Sequence, residues 1–397
     1  MKLERLKKNN SNYPSTLRHS LGYLPTILLK EIIEDKILDK KDSEKEVKFP
    51  KSFSFQTTCL YIDISHFFEN NYNENNKEEN INNDNNNNKK KKPKKKQSND
   101  LDEIISPEFY YFCINRYYEK LISIITNHGG DVIFQGNGIY AIWPPEKKEL
   151  DSNISNTDIN FDENINSEKK LMLCLKAIQC AVEIKKNSIM EIKKGCTFIS
   201  TIGCSIGECK FIIFQGMNLK YDYIVLGDAL KNSCDCCQKD ETGGQIIIGA
   251  KLINIVNEYY KLKEFYIDGI KYCSVLEPKS RESQIKNNKA TVNLIKNNFS
   301  LEQIALNNHK ISKFNHEVIF NLFQRNIIDE KWLKEIKSVT LLFLRMKMNQ
   351  KDLDDPNKLQ ELFILMQEIV LKNGGSIHKL AFDHNGILII MCFGLIS

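Results

Sequence analysis

One order of elements, strand then helix then Gly-Gly then hairpin, is written twice in this chain, and that repetition constrains its fold more than any other feature. In the first copy a β-branched and aromatic run from Ser54 to Ile64 predicts a strand with Asp63 near its end. Pro107 to Asn127 predicts a helix, because Tyr110, Ile114, Tyr117, Leu121 and Ile124 recur at helical spacing. Gly129-Gly130 breaks it, and Val132 to Phe134 and Gly138 to Trp143 read as a hairpin. In the second copy Thr340 to Leu344 predicts the strand, Pro356 to Lys372 the helix, Gly374-Gly375 the break, and Gly386 to Phe393 the end of the hairpin. Counted along the two strands, Asp63 falls opposite about Arg345, so only the first copy offers a carboxylate there.

Between the copies the first continues. Leu171 to Lys185 predicts an amphipathic helix, Phe198 to Gly207 and Phe211 to Phe214 a strand pair, Tyr221 to Leu226 a short strand, Asp228 to Cys237 a helix, and Gln245 to Ile248 a closing strand. The sum is an α+β layer, an antiparallel sheet with helices on one face. The expected organisation is an N-terminal flank over 1–48, a first domain over 49–275, a polar helical linker over 276–337 and a partial second copy over 338–397. Two insertions interrupt the first domain, at about 70–102 and 149–168.

The insertions decide how the charge is read. The net charge of +5 sits largely in Lys89 to Lys96, behind an Asn/Glu/Lys tract with too few apolar residues to bury a core. It reads as a solvated insertion. The alternative is attraction to nucleic acid or acidic lipid, which would be salt-dependent and blind to sequence, so no specific nucleic-acid partner is expected. The apolar run Gly386 to Ile396 is too short to span a bilayer, and the twelve cysteines show no regular spacing. A soluble, cytoplasmic, reducing setting is expected. Cys234-Asp235-Cys236-Cys237 lacks the second pair that a four-ligand zinc site needs.

Tyr61-Ile62-Asp63-Ile64-Ser65-His66-Phe67, with Gly129-Gly130-Asp131-Val132 and Gly136-Asn137-Gly138, resembles the metal and hairpin motifs of class III nucleotide cyclases. Tyr23-Leu24-Pro25, Tyr223 to Gly227 and Val339 to Phe343 resemble the soluble, bicarbonate-responsive adenylyl cyclases in particular. The resemblance implies a ferredoxin-like catalytic domain followed by the start of a second, which together form a pseudo-dimer around ATP. It implies two Mg²⁺ or Mn²⁺ ions held by Asp63, the carbonyl of Ile64 and the position of Asn137. Ser65, His66 and Phe67 would cradle the phosphates, and Lys379 and Asp383 would meet the base.

The chemistry explains the residue types. Cyclisation of ATP drives the 3′-hydroxyl onto the α-phosphorus as pyrophosphate leaves, so negative charge must be neutralised on both sides of one phosphorus, and hard oxygen ligands suit the ions that do this. Asn137 departs from the family's second carboxylate, and Asn-Gly is also an ordinary hairpin turn. Asp131 is a possible substitute, although strand alternation argues for a different face. The asparagine and arginine that the family uses on the ribose and the transition state are absent from this chain. The family's bicarbonate lysine and arginine fall near Ile133 and Cys234, beside a matching Val225, and neither holds an anion by charge, so bicarbonate control is doubtful. Three readings follow: an ATP cyclase active only with a complete second domain, a degenerate cyclase acting as a nucleotide-binding or regulatory module, and, less well supported, a diguanylate-type enzyme suggested by Gly129-Gly130-Asp131.

Overall fold

The computed structural model describes residues 24–34, 49–63, 107–135, 138–144, 167–187, 190–193, 196–217, 220–279, 303, 306–314, 338–348, 352–353, 355–383 and 386–395. The Asn/Lys insertion, most of the second insertion and most of the linker lie outside these residues.

In chain order the elements are α1 (Thr26–Ile33), β1 (Lys51–Asp63), α2 (Pro107–Asn127), β2 (Asp131–Gln135), β3 (Gly138–Trp143), α3 (Ser167–Asn187), β4 (Met190–Lys193), β5 (Cys196–Phe198), β6 (Thr201–Gln215), β7 (Tyr221–Leu226), α4 (Asp228–Cys237), β8 (Ile246–Gly249), α5 (Ala250–Val256), β9 (Tyr260–Ile267) and β10 (Ile270–Pro278). They continue with α6 (Asn308–Ile311), β11 (Thr340–Met346), α7 (Pro356–Lys372), β12 (Gly375–Asp383) and β13 (Gly386–Phe393).

The large sheet has the order β2-β3-β1-β6-β8-β10-β9, with β7 also on β6. Its pairs are antiparallel except β6 with β8, which bears out the α+β expectation. A smaller sheet, β11-β13-β12, holds the second copy. Among the described residues no helix is long and apolar enough to cross a membrane.

Helices cover both faces of the large sheet, not one as expected. On one face α2, α3 and α5 bury Tyr117, Ile178 and Leu252 against Leu60 and Ile62. On the other, α1 and α4 bury Leu28, Ile32 and Leu230 against Cys59 and Tyr61. Strand alternation makes both layers possible, since a strand buried on both sides sends successive side chains into different cores. The helix α1 lies inside the stretch expected to be a flank.

The expected strand pair around Glu208 is one strand. β6 pairs with β1 without a break from Thr201↔Asp63 to Ile213↔Lys51, so Glu208 and Lys210 are rungs of a ladder and not a turn. The set does not close at β8 either, because α5 and the β9–β10 hairpin follow it.

The Gly-Gly pairs have one explanation in both copies. Gly129 and Gly374 take positive φ of 76° and 72° at the helix ends. The next glycine in each pair is pressed on an aromatic ring: a Cβ on Gly130 would lie 2.8 Å from Trp143, and one on Gly375 2.4 Å from Phe393. Only a residue without a side chain lets the hairpin fold back so closely.

Candidate active site

The site begins at the end of β1. The register Ile62↔Ile139 leaves Asp63 level with Gly138, the first residue of β3. A Cβ on Gly138 would lie 2.6 Å from the Ile62 carbonyl oxygen, so the start of β3 is drawn tightly onto the strand that carries Asp63. On its other side Asp63 pairs with Thr201. The thiol of Cys237, the last residue of α4, donates to the Thr201 carbonyl at 3.4 Å. Burial, and then the Asp63 carboxylate beside it, hold that thiol well above the ordinary range. Asp63 therefore stands near the carbonyl end of a helix, where negative potential accumulates.

Asp240, just beyond α4, is buried but fully engaged. Its carboxylate accepts from the main-chain N–H groups of Thr242, Gly243 and Gln245, at 3.1, 3.0 and 2.8 Å, and from the hydroxyls of Thr242 and Thr201. It shapes the loop beside Asp63. Sequence reading passed over it, although Asp-x-Thr-Gly-Gly is a recognisable Asx-turn pattern.

The described residues contain no group of three or more His, Cys, Asp or Glu side chains that could hold a metal ion. By donor type and charge Asp63 fits one hard divalent cation. The other expected ligands, Ile64 and Asn137, and the expected phosphate contacts Ser65, His66 and Phe67, lie outside the described residues.

Asp131 cannot join Asp63. Contrary to the alternation argument both lie on the α1/α4 face, because Asp63 alternates with Tyr61 and Asp131 with Ile133 in the same core. Distance separates them. Asp131 lies opposite Ile142, which lies opposite Cys59, two strands across and four residues back, or about 16 Å from Asp63. Its carboxylate accepts from Ile27 N–H at 2.8 Å and Val132 N–H at 3.0 Å, and so caps α1 from a distance of 104 residues in sequence.

In the second copy Lys379 lies on β12 opposite Ile390, just after an irregularity between Ile377 and Lys379. Burial holds its ammonium group below the ordinary range, and burial and then Lys379 do the same to His378. β12 packs against β7, β2 and α4 of the first copy. Asp383 closes the strand opposite Gly386.

The two hairpins can now be matched by register. Ile62 opposite Ile139 corresponds to Met346 opposite Ile387, so the counterpart of Asp63 is Lys347 and not Arg345. Asp131 opposite Ile142 corresponds to Lys379 opposite Ile390, so an acid in the first copy answers the lysine of the second. The three positions weighed for an anion, Ile133, Val225 and Cys234, converge in one apolar core.

No protein-family model matches the chain, and none of the curated proteins matches it. Among solved structures it is similar to the dimeric guanylyl cyclase domain of the RhoGC fusion protein from the aquatic fungus Blastocladiella emersonii, at 11% identity and a TM-score of 0.37, over 58% of this chain and 100% of that one. It is also similar to the adenylyl cyclase CyaB from P. aeruginosa, at 13% identity and a TM-score of 0.34, over 59% and 100% of the two chains. A bacterial light-regulated adenylyl cyclase gives 14% identity and a TM-score of 0.38, over 78% of this chain and 71% of that one.

Proposed function

We propose that this chain is a class III nucleotide cyclase region of the soluble adenylyl type, working in the cytoplasm, whose site converts ATP to 3′,5′-cyclic AMP and pyrophosphate once the second copy is complete. In this reading the bond from the ribose 3′-oxygen to the α-phosphorus forms as the bond to pyrophosphate breaks. Asp63, with the Ile64 carbonyl and Asn137, would hold Mg²⁺ or Mn²⁺. Such ions, when bound, supply charge neutralisation at the reacting phosphorus. Ser65, His66 and Phe67 would orient the polyphosphate, and Lys379 and Asp383 the base.

The observation that carries the reading is the position of Asp63: the end of β1, an interior strand of the large sheet, level with Gly138 and close to the carbonyl end of α4. A carboxylate and the carbonyl end of a helix meet there, and negatively charged hard oxygen donors are what a divalent cation of this kind takes. The motif resemblance around Asp63 and around the Gly-Gly hairpin supports the same assignment. Bicarbonate is not part of it, because the positions weighed for that anion are apolar and buried.

A second reading, a degenerate domain that binds nucleotide without turnover, is favoured by one feature, the neutral amide of Asn137 where the family has a carboxylate. The two separate in one assay. A protein carrying a complete second copy is given ATP and Mn²⁺, beside its Asp63→Ala and Asn137→Asp variants, and cyclic AMP is measured. Activity that disappears with Asp63→Ala supports the cyclase. Nucleotide binding without any cyclic product moves the assignment to the second reading.

A further inference from the structure

β6 is longer than its neighbour. The β1 ladder on it ends at Lys51↔Ile213, so among the described residues no strand lies beside that edge of β6 beyond Ile213. Gly216 donates to the Lys220 carbonyl on the β7 side, at 2.7 Å. Main-chain groups alternate along an extended chain, so those of Gln215 point to the opposite edge, and Met217, which opens the turn into β7 with its carbonyl accepting from Lys220 N–H at 3.3 Å, leaves its N–H on that edge.

Two side chains of α7 close that edge. Gln360 accepts from Gln215 N–H at 3.1 Å and returns a bond from its Nε2 to the Gln215 carbonyl at 2.7 Å. Gln367, two turns later on the same helix face, accepts from Met217 N–H through Oε1 at 2.7 Å. Both glutamines are buried. Phe363, between them, stacks on Phe214 at 5.3 Å. A Cβ on Gly216 would lie 2.3 Å from Gln367 Oε1, so the close approach depends on that glycine.

We propose that Gln360 and Gln367 are positioning residues, whose carboxamides act as a surrogate strand on β6 and so fix the second copy, with β12 and Lys379, in one register on the first. Apolar packing alone tolerates sliding. A one-residue slip along β6 does not, because it turns every N–H and C=O of the strand to the other edge. The latch also distinguishes the two copies. Counted back from the Gly-Gly pair, the equivalent positions on α2 are Asn115 and Ile122. Asn115 is one methylene shorter, and Ile122 would leave the Met217 N–H without the acceptor that Gln367 supplies. The ribbon of β6 and β7 is therefore fitted to α7 and not to α2.

The role assigned to Lys379 rests on the proposed function; the latch itself does not. Amide hydrogen exchange on the full chain tests it without nucleotide. In the Gln360→Ala/Gln367→Ala protein, Gln215 and Met217 should exchange about tenfold faster or more, while the β3 amides from Ile139 to Ile142 keep their protection and show that the first copy is folded. Gln367→Glu keeps the acceptor for Met217 and should restore its protection. Gln360→Glu keeps the acceptor for Gln215 N–H but sets a carboxylate oxygen against the Gln215 carbonyl, so it should protect Gln215 more than Gln360→Ala does and less than the parent. Acetic anhydride labelling followed by mass spectrometry should find Lys379 more reactive in the double alanine variant. Unchanged exchange at Gln215 and Met217, a Gln367→Glu protein as unprotected as Gln367→Ala, or unchanged Lys379 labelling would each overturn the proposal. If exchange and labelling both respond but nucleotide affinity does not, the latch stands and the base-binding role of Lys379 fails.

Discussion

The main-chain oxygen of Ser233 lies so close to Gly203 that a Cβ at Gly203 would sit 1.9 Å from it and 2.4 Å from the Cys237 nitrogen. Helix α4 thus rests on β6 backbone to backbone, and Gly207, four residues along the same strand face, continues the groove under Ala229. This contact holds the carbonyl end of α4 beside Asp63. Gly203→Ala should force α4 off the sheet and cost about 3 kcal/mol or more, the upper end of what overpacking a filled core costs. Urea unfolding of the variant checks this, and a stability within ~0.5 kcal/mol of the parent would show that the contact yields easily.

Asp63 can be tested apart from turnover. If its carboxylate holds a divalent cation, Mn²⁺ at a hundredfold excess over its dissociation constant should stabilise the parent by about 2.7 kcal/mol. Asp63→Asn should remove that increment while the metal-free protein unfolds at nearly the parent's midpoint, since a charge beside a helix carbonyl end is being deleted. Equal Mn²⁺ stabilisation in the two proteins would remove Asp63 from the metal site.

Asp131 should behave in the opposite way. The residue preceding α1 is Pro25, which gives the helix no side-chain cap, and the Asp131 carboxylate fills that role through Ile27 N–H. Asp131→Ala should destabilise the fold by roughly 1–2 kcal/mol, as the loss of a helix cap does, and Asp131→Asn by less because one acceptor remains. Mn²⁺ titration should be the same in both variants as in the parent. A weakened Mn²⁺ response would mean that the acid serves the metal and not the helix.

What the sequence made legible follows from where its signals are local. α2, α4 and α7 run over the residues that their periodicity and end signals predict, because Asp228, Pro107 and Pro356 open helices and Gly129 and Gly374 end them. The sequence pattern predicts two strands, Phe198 to Gly207 and Phe211 to Phe214, on either side of the polar Glu208 and Lys210, where the structure has one. The ladder to β1 that overrides them is a contact between residues about 150 positions apart, and no local pattern carries it. The β9–β10 hairpin was missed despite a local signal, Asp268-Gly269, whose φ values of 51° and 75° are those of a tight two-residue turn. At the site, Asp63 was readable as a carboxylate on an apolar strand. Gln360 and Gln367 were not, because a polar residue on an amphipathic helix looks the same whether it meets water or a strand edge.

The last prediction concerns Asp222 on β7, opposite Phe214. Burial raises its carboxyl from the ordinary 3.8 to about 6, although the Tyr223 N–H, donating to it at 2.8 Å, works in the other direction. Between those two values the native protein binds more protons than the unfolded chain, so its stability falls as pH rises through the window. Below 3.8 the carboxyl is neutral in both states and the burial is harmless; above 6 the native state carries a buried charge. Asp222→Asn keeps the acceptor for Tyr223 without the charge. About two pH units would convert to ~3 kcal/mol, but part of the side chain reaches solvent, so a gain nearer ~1 kcal/mol is expected at pH 7.5 and almost none at pH 4. Urea unfolding of parent and variant at the two pH values decides it, since an equal difference at both would mean that the carboxyl titrates alike in the folded and unfolded chains.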